Sequence, residues 1–198
     1  QRLLASPSDA EMVGDILMRL VCILDYQDKE HHLLLQIPSL ARAMGQRFDL
    51  SEGKLQSLVL AAKVYDIGKF VLPTGLLYAP RVLDEPEKQR VVTHVNAAVQ
   101  DILRPHKVFA PVLSTVKFHH ERWDGSGYPW HLKRDEIPIE SQIIGLLDVF
   151  RAMATDRPYR SKLTVPKVME AMELMKEFLF EPALVDTLAV VLEELKIT

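Results

Sequence analysis

The sequence predicts an all-α fold, and three features carry that prediction. Apolar residues recur at spacings of three and four, helix-starting signals stand ahead of those runs, and the alternation expected of half-buried strands is absent. The chain has 198 residues, 48% of them apolar and 26% charged. That is enough to bury one sizeable core without disulfide support. A single domain over residues 1–198 is expected, with residues 1–27 an N-terminal helix leading from an upstream sensory or regulatory domain.

The elements follow in order. Ser6-Pro7-Ser8-Asp9 starts a helix: a capping serine, a proline in the first turn and an acid near the positive dipole end. Met12, Val13, Ile16, Leu17, Leu20 and Leu24 then form its apolar stripe. His32 to Phe48 is a second helical region, with a kink or restart expected at Pro38. Ser51 caps a third, with Leu55, Leu58, Val59 and Ala62 on one face, and Asp66 and Gly68 end it. Asp84-Glu85-Pro86-Glu87 opens a helix carrying Val91, His94, Ala98 and Ile102. Pro111 is expected to begin another that runs to His119 and His120, and Trp123 to Pro138 is a long loop. Ile139 to Ala154 is a very apolar helix, Thr164-Val165-Pro166 starts the next, and Glu181-Pro182 the last.

The net charge of −3 gives no general attraction to nucleic acid or to an anionic membrane. No apolar run approaches membrane-spanning length, so no membrane insertion is expected. Any anionic ligand must be met by local cations. The single cysteine, Cys22, reads as a small buried hydrophobe, and the lack of disulfides points to the cytoplasm.

Several groups need a chemical explanation. His119 and His120 are adjacent, and on a helix their rings would project about 100° apart, so that each could serve its own metal. Gly125 and Gly127 permit positive backbone angles in the loop behind them. Asp148 lies inside a run of apolar residues, where an unpaired carboxylate costs several kcal/mol by general expectation. It must be protonated, paired or bound to metal. His94 sits on an apolar stripe, as a hydrogen-bonded core residue or a ligand. Asp28 and His32 are one helical turn apart and can share a face. Together these imidazoles and carboxylates suit two first-row metals, such as iron or manganese, better than a closed tetrahedral zinc site.

In this order the residues resemble the HD-GYP family, a branch of the HD-domain metallophosphohydrolases. The resemblance runs from about Asp28 to Arg160. It rests on His119-His120-Glu121 through Gly127-Tyr128-Pro129, then Ile137-Pro138, Asp148-Val149-Phe150 and Asp156-Arg157-Pro158-Tyr159-Arg160, with Asp66-Ile67-Gly68-Lys69 and His94 agreeing. It implies an HD-domain helical bundle with a long GYP loop, and hydrolysis of cyclic di-GMP to pGpG or GMP. Carried over by position, His32, Asp66, His94, His119, His120 and Asp148 are metal ligands, and Asp66 bridges two divalent or mixed-valence ions of iron or manganese. Asp66 and Lys69 carry the catalytic roles, while Lys69, Tyr128, Arg157 and Arg160 contact substrate. The resemblance also implies docking to a diguanylate cyclase domain through the GYP loop.

Two positions depart from the pattern. Tyr65 stands where the family has histidine, and a phenol with a pKa of about 10 ligates well only when ionised. Asp28 stands where many members that bind a third metal have glutamate, and its shorter arm argues against a third ion. Two function classes are therefore expected: a phosphodiesterase, or a catalytically inactive cyclic di-GMP receptor or docking module.

Overall fold

The computed structural model describes residues 7–24, 32–156 and 160–197. The expectations for Asp28 and Arg157, and for the side chains of Cys22 and His32, lie outside what is described. Among the described residues the fold is all-α, and no helix is long and apolar enough to cross a membrane.

Helix α1 (Pro7–Leu24) begins on its proline, whose missing N–H is unneeded in a first turn. Met12, Ile16 and Leu20 of its stripe remain exposed. Helix α2 (His32–Arg47) runs through Pro38 as one element. Helix α3 (Glu52–Val64) starts after Ser51, whose side chain makes no capping hydrogen bond, contrary to the expected cap. The short α4 (Thr74–Leu77) leads to α5 (Glu85–Asn96). Here the cap is complete: the Glu87 amide donates to Asp84 and the Asp84 amide donates to Glu87.

The helix that α5 begins continues as a π-helical stretch, Ala97–Leu103. Pro111 does not open a helix; it lies in a tight turn, Lys107–Val112, and α6 (Leu113–Phe118) follows. His119 and His120 therefore sit in the turn after α6, not on a helix. The loop after them contains a tight turn that the Gly125 amide closes on the Arg122 carbonyl, and a second, Arg134–Glu136. Helix α7 (Ile139–Ala154) has the expected bounds, and α8 (Val165–Glu173) and α9 (Pro182–Glu194) start where their prolines indicate.

Helix α7 is the axis of the bundle. Ile143, Ile144, Leu146, Leu147 and Phe150 are fully buried among Ile37, Leu40 and Met44 of α2 and Leu184, Val185 and Leu188 of α9. Burying each such side chain contributes about 1.5–3 kcal/mol by general transfer scales. A helix held that firmly can carry polar groups into the interior at fixed positions.

Candidate metal centre

Asp66, His94, His119, His120 and Asp148 converge from four parts of the chain. Asp66 occupies the turn after α3, His94 the last turn of α5, the histidine pair the turn after α6, and Asp148, 14% exposed, the third quarter of α7. Backbone crowds this point, and three glycines allow it. A Cβ on Gly68 would strike the His94 carbonyl, one on Gly145 the His119 carbonyl, and one on Gly127 the His120 carbonyl. Gly127 thus serves by its lack of bulk, whereas Gly125 serves by its backbone angle, φ 83°.

The two adjacent rings do not diverge as a helical pair would. Their centroids are 4.0 Å apart with a tilt of 41°, and both turn toward His94. The ligating nitrogens of His94, His119 and His120 all lie within 4.8 Å of one another. Nδ1 of His94 lies 2.6 Å from the Val91 carbonyl and Nδ1 of His119 lies 2.7 Å from that of Val116. A carbonyl only accepts, so each Nδ1 carries the proton and each Nε2 keeps its lone pair. Burial, then Lys69, holds His94 down at about 4. Burial likewise depresses His119 and, more strongly, His120. The three rings are neutral at physiological pH and fit for metal binding.

Two further observations test that fit. Asp66 Oδ1 and His119 Nε2 are buried without a hydrogen-bond partner, an arrangement that native interiors avoid. His120 Nε2 lies 3.3 Å from His94 Nε2. Two nitrogens bound at about 2.1 Å to one ion stand roughly 3.0–3.4 Å apart. The residues fit one divalent ion, with His94, His119 and His120 as ligands and Asp66 Oδ1, 3.9 Å from His94 Nε2, as a fourth.

The carboxylate side of the site is different. Arg151, 1% exposed, donates through Nη2 to Asp66 Oδ2 at 2.9 Å and to Asp148 Oδ1 at 3.3 Å. Lys69 Nζ donates to the same Asp66 oxygen at 2.7 Å. The Tyr65 hydroxyl donates to Asp148 Oδ1 at 3.3 Å, so it acts as a donor to a carboxylate. Burial would raise both acids, but Lys69 and Arg151 more than offset it: Asp66 is lowered, and Asp148 lies well below the usual carboxylate range. The two acids are thus already neutralised by two bases. A second metal bridging Asp66 and Asp148 does not fit while Arg151 spans them.

The remaining predicted residues have other surroundings. Tyr128 stacks on His120 at 4.7 Å between ring centroids, and burial raises its pKa. Arg160 donates to the carbonyls of Ala152, Met153 and Ser161, closing the C-terminal end of α7. Sequence reasoning missed Arg151, whose only signal was a cation three residues after Asp148 in an apolar run. It also missed Glu121, a buried acid that accepts from the Trp130 and Leu132 amides at 2.8 and 3.0 Å and closes the GYP loop beside His120.

A site of this kind, on this bundle, has known relatives. The HD domain family matches residues 18–184. The chain belongs to the HD-domain family. Within that family it is 32% identical over 95% of its length to the cyclic di-GMP phosphodiesterase response regulator RpfG of Xanthomonas campestris, covering 50% of that protein. It is 34% identical over 71% of its length to the 3'3'-cGAMP-specific phosphodiesterase 2 of Vibrio cholerae, covering 27% of it. The HD-domain chain thus spans half the length, or less, of these curated relatives. Among solved structures, the fold resembles Bd1817, an HDG"Y"P protein from Bdellovibrio bacteriovorus, with a TM-score of 0.70 and 15% identity, over 95% of this chain and 65% of that one.

Proposed function

We propose that the chain is a metal-dependent phosphodiesterase of the HD-GYP type acting on a cyclic dinucleotide. The observation that carries this reading is the convergence of three buried, neutral histidines with the unpartnered oxygen of Asp66. Iron or manganese suits this nitrogen and oxygen donor set. When bound, such an ion supplies Lewis acidity, lowering the pKa of water and drawing charge from a phosphoryl oxygen. The chain supplies the rest. Lys69, half-buried at the edge of the site, attracts the substrate phosphate and stabilises charge that grows on its oxygens. Nδ1–H bonds to the Val91 and Val116 carbonyls hold the rings in orientation. Arg151 fixes Asp66 and Asp148 so that neither swings to meet the incoming anion.

Cyclic di-GMP is the favoured substrate and pGpG or GMP the product, because relatives along most of the chain carry that name. The name of another relative makes 3'3'-cGAMP the alternative. Incubation of metal-saturated protein with each nucleotide, followed by chromatography, should yield a linear dinucleotide or mononucleotide. No product from either, with metal bound, would sink the reading. A second reading is a receptor or docking module that binds without hydrolysis, the GYP loop meeting a diguanylate cyclase domain. It is favoured by Tyr65 and Arg151, which occupy Asp148. Calorimetry showing nucleotide or partner binding without turnover supports it, and activity that appears in Tyr65→His identifies Tyr65 as the disabling change.

A further inference from the structure

Four charged side chains meet at the carboxylate side of the site: Asp66 and Asp148 against Lys69 and Arg151. Two formal negative charges face two positive ones, so the group is neutral before any metal arrives. One atom, Arg151 Nη2, bridges the two carboxylates at 2.9 and 3.3 Å, the position that a cation shared by both would take. The guanidinium is 1% exposed, and its carbon lies 5.9 Å from the Tyr65 ring centre. The Tyr65 hydroxyl in turn holds the same Asp148 oxygen as Arg151. Tyr65 and Arg151 therefore act together on one carboxylate. The histidine side has a different character: three neutral rings, with Lys69 acting on His94 and Arg122 on His120 from nearby.

We propose that Arg151 is a resident cation in place of one metal ion, so that the chain holds a single metal, at His94, His119, His120 and Asp66. A permanent guanidinium cannot be removed by chelation and is always charged. It repels a second divalent ion and keeps Asp148 from ligating. A phosphate entering such a site meets one metal on the histidine side and the half-buried Lys69 on the other, with Arg151 behind them holding the two carboxylates. The inference rests on the metal-centre reading but not on the identity of the substrate.

Metal content decides it. Protein saturated with manganese or, anaerobically, with ferrous iron, then stripped of free metal by gel filtration, should hold one ion per chain. Its manganese paramagnetic resonance should be that of an isolated ion. Two ions per chain, or a spin-coupled signal, would overturn the inference and leave the proposed phosphodiesterase standing. No bound ion would overturn both. In the double variant Tyr65→His with Arg151→Met, the content should rise from one ion to two, with helicity and a cooperative melt as the check on folding. A folded double variant that still takes one ion would also overturn the inference. Arg151→Lys, which keeps the charge, should keep one ion, and a second ion there would count against the role of the cation.

Discussion

His94 shows what one buried side chain does to the whole stability profile. Its pKa in the folded chain is held at about 4, against about 6.5 when unfolded. Between those values the unfolded chain binds a proton that the folded chain refuses. Stability of the metal-free protein therefore rises with pH across this window and is lost as pH falls from about 6.5 toward 4. His94 alone accounts for about 3 kcal/mol of that loss, and His119 and His120 act in the same direction. Urea unfolding at pH 7 and pH 5 should give a clearly lower midpoint at pH 5; equal midpoints would contradict the burial of these rings in neutral form. At this scale the sequence was half legible. The family resemblance names Asp66, His94, His119 and His120 as ligand candidates, and the fold brings these four together. The partner of Asp66 could not be named, because Arg151 lies 85 residues away and only packing joins them.

Among the elements, glycine positions decide how closely helices and loops approach the histidines. A Cβ at Gly127 would meet the backbone of His120, Glu121 and Arg122, which cannot rotate aside. Gly127→Ala should cost about 1–3 kcal/mol, in the range of overpacking, and weaken metal retention. Gly53 in α3 has open space around its Cα, so Gly53→Ala should stabilise by about 0.5–1 kcal/mol. Thermal melts of the two variants should move in opposite directions. Long elements were well read: α7 starts and ends where an apolar run between Pro138 and Thr155 indicates. Shorter ones were not. Pro111 signals a helix start but lies in a tight turn two residues before α6, and nothing in the composition of Ala97–Leu103 distinguishes a π-helical stretch from an α-helix.

For the molecule as a whole, the core and the metal centre are separate sources of stability. Apolar packing of α2, α7 and α9 folds the bundle, which leaves the centre free to gain or lose its ion. A ligand at one hundred times its dissociation constant stabilises by about 2.7 kcal/mol. For a chain of this size that is a rise of about 5–10 °C in Tm. Manganese should produce that rise in the natural protein and not in His119→Ala; a similar rise in both would place the ion elsewhere. The helical class and the site's location could be read from periodicity and motif order. The charge balance at Asp66 and Asp148 depends on three-dimensional neighbours and could not. The Glu121 carboxylate ties the amides of Trp130 and Leu132 to the residue beside His120. The GYP loop is therefore a noose drawn tight by the same turn that presents the histidines. Occupancy of the centre should then be readable at a distance, as slower protease cutting between Gly125 and Lys133 when metal is bound.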